Sequence, residues 1–435
     1  MTIDQIITLV VLTGVVGMLI WGRVRPDVVA LTGAATLLMT GVVRPVDVQG
    51  AFASPAIIAL ASLFVIAYAL ELSGLLDRAI TRGVGLCRSL GTKGMWLLLS
   101  MIGGLSCFLN STPIVVLGAP VIRDVAIALK ESPKRYLMPL SYITVLTGCT
   151  TLIGTSTNLL VDDMASVAGQ ARFGLFEITP IGLPIALAGG LYLFLVSGRL
   201  LRGHEDEPRE GDPGRVDPLL AAGGQVGDAS LFAAKQPLQP VKAITGLAVF
   251  AGTIILAALN VAPIAATALS GAVLLILLRV ISPDEAYRGL KPEILILIAG
   301  MVVIGIAMEE SGLAGLLSQT LINSVHDLSP LVALIVLYLV TMVLTELLSN
   351  ATVAVLVTPI AVALAESLAV SPRPFLVAVM MAASAAFATP FGYQTNVIVY
   401  QMGGYRYMDF VRIGLPLNLI TCVVAIVAIQ VFFPF

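Results

Sequence analysis

Charged residues are scarce in this chain, and their scarcity excludes an ordinary soluble domain. Asp, Glu, Lys and Arg make up 11% of the 435 residues, against about 25% in a typical soluble domain. The formal net charge is −2 and there is no basic arm, so nothing in the charge balance favours nucleic acid as a partner. Hydrophobic residues instead reach 58%, and the mean hydropathy of +1.00 predicts a protein of the lipid bilayer.

Residues for covalent or metal chemistry are equally few. The four cysteines have no metal-ligand spacing, and the two histidines, His204 and His326, lie in polar surroundings without catalytic partners. Cys107 and Cys149 stand in apolar runs and are interpreted as small buried residues. No nucleophile with a general base is recognisable, so the sequence supports neither an enzyme nor an organic cofactor.

Apolar stretches of about 20 residues, the length that crosses a bilayer, recur along the chain. The candidate spans are 5–22, 27–43, 55–74, 137–161, 178–199, 243–260, 262–281, 293–310, 374–402 and 413–434. The first lacks the basic start and the cleavage site of a signal peptide, so we interpret it as a retained span. A polar stretch over 200–242 reads as a flexible loop between a first half, 1–199, and a second half, 243–435.

Two regions, 95–130 and 328–370, do not fit a single crossing. Each has an apolar arm, a polar interruption and a second apolar arm. The interruptions are the first tip, Asn110–Thr112, and the second tip, Ser349–Thr352. Irregular backbone at membrane depth is tolerated where protein or a water-filled cavity surrounds it. We expect re-entrant hairpins, with two full spans each as the alternative.

Four polar-containing segments of the first half recur in order in the second half. The pairs are Ala69–Leu75 with Ala307–Leu313, Leu109–Pro120 with Leu348–Pro359, Gly154–Asn158 with Gly392–Asn396, and Phe173–Pro184 with Tyr405–Pro416. Each half has five crossings and one hairpin, and an odd number of crossings inverts the second copy. The predicted fold is therefore an all-α polytopic membrane protein with two inverted-topology repeats, an arrangement typical of secondary transporters.

The basic residues predict which way the chain faces. All but three of the 24 Lys and Arg residues fall on the side that holds the central loop, the exceptions being Arg44, Arg172 and Arg373. Because positive charge accumulates in cytoplasmic loops, the central loop is predicted to be cytoplasmic and both termini to face outward. We expect a multi-pass protein of the inner or plasma membrane.

The tips carry hydroxyl and amide groups beside helix ends. Helix N-termini favour anions, whereas helix C-termini and freed carbonyls suit Na⁺. The alternative is that these Ser and Thr side chains only bond to their own helices or hold helices together. Glycines in Gly154–Asn158, and Pro390 in Thr389–Asn396, also interrupt apolar runs and predict broken helices. Glu346, one turn before Asn350, has an open role: it could contact an ion, carry a proton or brace the hairpin.

These tips and breaks, in this order, resemble the divalent anion/sodium symporter family of the ion transporter superfamily. The resemblance covers nearly the whole chain and implies a homodimer that works by an elevator motion and couples Na⁺ to a dicarboxylate, citrate or sulfate. It implies one sodium site at Ser106, Asn110, Ser111 and Gly154, and another at Thr345, Ser349, Asn350 and Ala388. The implied substrate contacts are Asn110, Ser111, Thr112, Thr155, Ser349, Asn350, Thr352 and Thr395.

The chain departs from the family pattern at three points. The first tip reads Asn-Ser-Thr, Ala351 replaces the usual Thr, and Ser156-Thr157-Asn158 replaces a Pro-Pro-Asn sequence. In this form it looks more like the branch with sulfate-type permeases. The sequence predicts a sodium-coupled symporter of a small divalent anion, sulfate-like or dicarboxylate. The alternatives are a proton- or sodium-coupled antiporter, for which Glu346 is the candidate carboxylate, and an oxyanion efflux permease of the same superfamily.

Overall fold

The computed structural model describes residues 1–21, 24–75, 78, 90–200, 238–259, 261–313, 316, 329–390 and 392–435, and every regular element within them is a helix. The first half forms α1 (Ile3–Trp21), α2 (Pro26–Met39), α3 (Pro45–Phe52), α4 (Pro55–Leu72), α5 (Thr92–Ser106), α6 (Ser111–Ala128), α7 (Lys134–Gly148), α8 (Ser156–Val167) and α9 (Thr179–Leu200). The second half forms α10 (Pro240–Ala258), α11 (Ile264–Leu277), α12 (Pro283–Gly289), α13 (Pro292–Glu310), α14 (Pro330–Leu347), α15 (Asn350–Ser367), α16 (Arg373–Ala383), α17 (Gln394–Gly403) and α18 (Tyr407–Phe432). Most of the predicted central loop lies outside the described residues.

The two halves repeat the same helix order. Each helix from α10 to α17 starts about 238 residues after its counterpart from α1 to α8. The repeat includes the short helices α3 and α12, which were not predicted from the sequence. Both begin with proline and carry an acidic residue, Asp47 or Glu285, that accepts a hydrogen bond from the backbone N–H of the capping residue.

Ser-Pro pairs start several of these helices. Ser54, Ser282 and Ser329 each accept a hydrogen bond from a first-turn amide of the helix that follows. The proline after each serine has no N–H to leave unpaired in the first turn. The starts of these three helices are therefore encoded locally, in the two residues at each boundary.

Seven helical stretches of the described part are long and apolar enough to cross a membrane. Large apolar side chains remain exposed on them, such as Val241 at 77% and Ile244 at 70%, as expected for surfaces that face lipid. Together with the helical order, this confirms the predicted all-α, multi-pass architecture. Inversion of the second half stays a prediction.

Each region predicted as a hairpin consists of two helices joined by a short turn. Residues 107–110 join α5 to α6, and residues 348–349 join α14 to α15. Of these helices, α14 and α15 are each 18 residues long and apolar enough to span. The helical arms and their polar interruptions lie where the sequence placed them, and re-entry stays a prediction.

The helices pack as two groups. The first group contains α1–α4 and α10–α13, and the second contains α5–α9 and α14–α18. The groups meet where α8 packs against α4 and α13, and where α15 packs against α13. Inside the second group, the short helices α7 and α16 are almost entirely buried. Each leads into an unwound segment, residues 149–155 after α7 and, among the described residues, 384–390 and 392–393 after α16.

Candidate functional site

Two hydroxyls and a backbone carbonyl meet at the first tip. The side-chain oxygen of Asn110 caps α6 by accepting a hydrogen bond from the Thr112 amide at 3.1 Å. The Oγ of Ser111 lies 2.9 Å from the Oγ of Ser106, the last residue of α5. Both hydroxyls also approach the Thr144 carbonyl of α7, at 2.8 Å from Ser106 and 3.1 Å from Ser111. Three oxygen atoms are thus gathered at the turn between α5 and α6.

The second tip repeats this arrangement with one amide in place of a hydroxyl. The Oγ1 of Thr345 donates to Asn350 Oδ1 at 2.9 Å and approaches the Ala383 carbonyl of α16 at 2.6 Å. Ser349 caps α15 by accepting from the Thr352 amide at 3.2 Å. The Oγ of Ser349 also lies 2.7 Å from the Oγ1 of Thr352. The tip therefore presents hydroxyl, amide and carbonyl oxygens within one turn.

The first unwound segment is held by its own threonine and asparagine. The hydroxyl of Thr151 accepts a hydrogen bond from the Gly154 amide at 3.1 Å and donates to the Cys107 carbonyl. The Nδ2 of Asn158 donates to the Thr151 carbonyl at 3.0 Å. These bonds pair the Gly154 amide and the Thr151 carbonyl inside the protein, which is what irregular backbone in a membrane needs.

The second unwound segment uses the same two residue types. The hydroxyl of Thr389 accepts from the Gly392 amide at 3.1 Å and donates to the Glu346 carbonyl at 3.2 Å. The Nδ2 of Asn396 donates to the carbonyls of Ala386 at 2.8 Å and Thr389 at 3.2 Å. Each unwound segment is therefore tied to the last turn of the hairpin helix beside it.

Glu346 braces the second unwound segment. Its carboxylate accepts hydrogen bonds from the amides of Ala388 at 2.7 Å and Thr389 at 2.9 Å, and from Asn418 Nδ2 at 2.7 Å. The corresponding position in the first half is Cys107, whose side chain carries no such charge. Of the three roles left open by the sequence, these contacts are those of a brace.

A glycine lets a long helix touch each unwound segment. A Cβ on Gly182 of α9 would lie 2.4 Å from the Cys149 carbonyl oxygen, and one on Gly414 of α18 would lie 1.9 Å from the Phe387 carbonyl oxygen. Both distances are too short for any side chain. The shared Ile-Gly-Leu-Pro of the sequence repeat thus marks two backbone close approaches.

The two halves meet at the tips and unwound segments. The Oγ1 of Thr112 lies 3.2 Å from Gln394 Oε1, and Ser141 Oγ lies 2.7 Å from both Thr395 Oγ1 and Asn396 Oδ1. The structure therefore brings the first tip and its neighbouring helix against the start of α17.

Other predicted site residues are placed less directly. Thr155 caps α8, and its side chain and that of Ser111 interact with Tyr393 of the second half. Ser349 and Thr352 bond to one another, and no hydrogen bond between described residues links either of them to the first tip. The second tip thus contributes its own cluster rather than a direct contact with the first.

Buried polar atoms without partners mark the same region. Asn158 Oδ1, Asn350 Nδ2 and Asn418 Oδ1 have no hydrogen-bond partner in the described part of the chain, and the side chains are buried, Asn158 to 0% exposure. Buried polar atoms are normally paired. A cation would satisfy the unpaired acceptor of Asn158, and an anion would satisfy the unpaired donor of Asn350.

Comparison with known proteins agrees with this geometry. The family model described as Citrate transporter matches residues 16–369 and 347–435. The chain belongs to the citrate transporter family. This family lies within the ion transporter superfamily, so the resemblance to the divalent anion/sodium symporters is confirmed.

Three relatives of this member of the citrate transporter family carry transporter names. An uncharacterized transporter, sll0640, of Synechocystis is 25% identical over 86% of the chain and 88% of its own length. A probable sodium/sulfate cotransporter 3 of Chlamydomonas reinhardtii is 34% identical over 35% of the chain and 17% of its own length. The sodium-dependent dicarboxylate transporter SdcS of Staphylococcus saprophyticus is 31% identical over 34% of the chain and 29% of its own length. The chain is accordingly a multi-pass membrane transporter of this type, not a member of an enzyme family.

Several residues that build this transporter's candidate site were given no site role from the sequence, although Thr389 and Asn396 lie in a predicted helix break. They are Thr151, Thr389, Asn396, Ser141, Asn418, Gly182 and Gly414. A signal existed for the Thr and Gly pairs, because each recurs at the matching position of the other half. No signal existed for the carbonyls of Thr144 and Ala383, because any residue type supplies a backbone carbonyl.

Proposed function

We propose that this protein is a secondary active transporter that couples Na⁺ to the uptake of a small divalent anion, either a sulfate-like oxyanion or a dicarboxylate. The observation that carries the proposal is the matched pair of oxygen clusters, Ser106–Ser111–Thr144 at the first tip and Thr345–Asn350–Ala383 at the second. The two clusters are equivalent and consist of neutral oxygen atoms. Such oxygens are the ligands that a hard cation such as Na⁺ prefers, so each cluster suits one cation.

The cation sites would be assembled from hydroxyl, amide and carbonyl oxygens. In the first, Ser106, Ser111 and Asn110 act together with the unwound segment at Gly154. In the second, Thr345, Ser349 and Asn350 act with the segment at Ala388. Hydroxyls that now bond to one another keep lone pairs to offer a cation. The ends of α5 and α14 add the partial negative charge of a helix C-terminus.

The anion would be held between the tips by helix N-termini and polar side chains. The starts of α6, α8, α15 and α17 lie at the tips and unwound segments, and helix N-termini attract anions. Asn350 Nδ2 adds an unpaired donor, and Thr112, Thr155, Thr352 and Thr395 stand at the same helix starts. No Lys or Arg of the described residues is bonded to either tip, so helix dipoles and bound Na⁺ would balance the anion's charge.

Architecture and orientation complete the proposal. The repeat of an odd number of crossings supports inverted halves, with re-entrant hairpins whose tips approach one another in mid-membrane. The division into two helix groups supports an elevator motion in which the second group slides against the first. The distribution of Lys and Arg supports a cytoplasmic central loop and outward termini. A homodimer is expected from the family resemblance.

Uptake into proteoliposomes tests the proposal. Purified protein is reconstituted and supplied with labelled sulfate, succinate or citrate, under an inward gradient of either Na⁺ or K⁺, with and without an imposed pH gradient. We expect accumulation of one divalent anion under the Na⁺ gradient alone. Accumulation that follows the pH gradient and ignores Na⁺ would instead favour proton coupling, and anion-stimulated efflux alone would favour an efflux permease.

A further inference from the structure

A buried charged cluster lies on the face of the second group that meets the first group. Asp162 and Asp163 of α8 are exposed by only 4% and 1%. Arg172 bonds to both, at 3.1 Å to Asp162 Oδ2 and 3.0 Å to Asp163 Oδ1. The Phe173 amide donates to Asp162 at 2.7 Å. Two carboxylates and one guanidinium are thus fixed as a rigid unit of the second group.

One of these carboxylates reaches across to the first group. Ser54 Oγ donates to Asp163 Oδ2 at 3.3 Å, and both side chains are buried. The same Ser54 oxygen caps α4 by accepting from the Ile57 amide at 3.3 Å. The Asp163 carboxylate therefore lies at the positive N-terminal end of a helix of the other group, where an anion is favoured. Asp162, its neighbour, has no bond to the first group among the described residues.

The cluster is connected to the candidate cation site by the segment 171–179. The Leu152 amide of the first unwound segment donates to the Leu175 carbonyl at 3.0 Å. Thr179 Oγ1 donates to the Thr150 carbonyl at 2.7 Å. Because Arg172 and Phe173 belong to this same segment, hydrogen bonds connect the unwound segment to Asp162 and Asp163.

The residue types that form this contact do not recur at the matching positions of the second half. At the start of α13, the residue that corresponds to Ser54 is Lys291, whose ammonium lies over the Phe64 ring. The seventh and eighth residues of α17, which correspond to Asp162 and Asp163, are Tyr400 and Gln401. Among the described residues, the hydrogen bond between α4 and α8 is therefore not repeated at the corresponding positions of the second half.

We propose that the Ser54–Asp163 contact is a latch that stabilises the present position of the second group against the first, and that it opens when the groups slide. The inference rests on the sliding motion of the proposed function. It adds the residues that stabilise one of the two positions between which the second group slides. The contact must break in any slide of α8 along α4, since a hydrogen bond does not survive displacement by one helical turn. The segment 171–179 links its opening to the first cation site.

The test compares substitutions of Ser54 that all keep α4 capped. Thr retains the hydroxyl, Gly removes it, and Asp removes it and places a second carboxylate against Asp163; all three residues are accepted helix N-caps. Spin labels at the exposed positions Met39 and Ser371, one on each group, report the distance between groups in detergent or nanodiscs.

We expect S54T to keep the wild-type distance distribution. S54G should lower the ratio of latched to unlatched protein about tenfold, the worth of a hydrogen bond to a charged group. S54D should lower it further. Because the latch is linked to the first cation site, turnover and the Na⁺ concentration for half-maximal uptake should both change in S54G and S54D and stay at wild-type values in S54T. If S54D shows the same distribution of spin-label distances as the wild type, the latch proposal is wrong. It is also wrong if the wild type shows a single distance under every condition. Wild-type uptake that ignores Na⁺ removes the proposed coupling but leaves the distance result standing.

Discussion

The first tip with its unwound segment and the second tip with its unwound segment form two half-sites of this transporter. They share the same backbone arrangement and differ in several side chains. In both, a hydroxyl near the end of a hairpin helix bonds to a tip residue and to a carbonyl of a buried helix. The first half-site has Cys107 where the second has Glu346. The acceptor of Asn158 is unpaired, whereas that of Asn396 is bonded to Ser141. The two half-sites place oxygen atoms at matching positions. They differ in that the second has a carboxylate, Glu346, in place of Cys107, and a hydrogen-bonded acceptor, Asn396, in place of Asn158.

The largest effect is expected from the two glycines at which a long helix touches an unwound segment. Gly414→Ala places a Cβ 1.9 Å from the Phe387 carbonyl, and Gly182→Ala places one 2.4 Å from the Cys149 carbonyl. Overpacking costs about 1–3 kcal/mol when neighbours can move, and a backbone carbonyl moves least. We expect Gly414→Ala to lose most folded protein and Gly182→Ala to lose somewhat less, as measured by thermal unfolding and by monodisperse yield in detergent.

Gly190→Ala is the matched control on α9, because nothing lies within 4 Å of its Cβ. We expect it to unfold at or above the wild-type temperature, since Ala is favoured over Gly within a helix by about 1 kcal/mol. Equal stability in all three variants would mean that the unwound segments are not packed as described.

Asn350→Ala is expected to abolish Na⁺-dependent uptake with expression near normal. The substitution removes an oxygen from the second cluster and the unpaired donor proposed for the anion. Asn110→Ala removes a cap worth about 1 kcal/mol as well as a proposed ligand, so uptake should also be lost, with reduced stability. Uptake as a function of Na⁺ concentration and thermal unfolding of the same preparations separate the two effects. Wild-type Na⁺ dependence in either variant would remove that residue from the cation sites.

Glu346 and Cys107 occupy corresponding positions of the two halves, so Glu346→Gln is compared with Cys107→Ser. A Gln amide cannot accept from both backbone amides that the carboxylate now serves, and a hydrogen bond to a charged group is worth about 1.5–3 kcal/mol. We expect lower thermal stability and a higher Na⁺ requirement in Glu346→Gln, with uptake still driven by Na⁺, and near wild-type behaviour in Cys107→Ser. A folded but inactive Glu346→Gln, beside wild-type uptake driven by pH alone, would establish proton carriage.

The smallest effect on uptake is expected from Ser141→Ala. It leaves the Asn396 acceptor unpaired, as the Asn158 acceptor already is, and an unsatisfied buried acceptor costs about 1–3 kcal/mol. Thermal unfolding should show a modest loss, with the half-maximal Na⁺ concentration little changed. Ser100→Ala is a suitable control, since among the described residues the Ser100 hydroxyl bonds to one group, the Trp96 carbonyl of its own helix, at 2.9 Å. A larger loss in the control would contradict a specific role for Ser141.

Much of this architecture could be predicted from the sequence because apolar length and polar interruption are local properties. The spans, both helical pairs and the unwound segments near Gly154 and Gly392 lie close to their predicted positions. The clusters could be predicted only in part. Ser106 and Thr345 were named, but their carbonyl partners come from neighbouring helices and depend on packing.

Buried charge was the hardest feature to predict. Asp162 and Asp163 stand just beyond the predicted end of a span, where solvent is the natural expectation, yet α8 carries them into the group interface. Burial became possible because Arg172 returns on the following segment to pair with both. Such pairing depends on the path of the chain after the helix, which composition and periodicity do not describe.

The contacts between the halves have a consequence for biosynthesis. The side chain of Thr112 is bonded to a residue 282 positions further along the chain, and that of Ser141 to residues 254 and 255 positions away. At about 5–20 residues per second of translation, the first tip exists for about 15–60 s before its partners are made. During that interval its hydroxyls are in the membrane without their final partners. A nascent chain stalled after the first half therefore exposes hydroxyls of Thr112 and Ser141 that lack these partners.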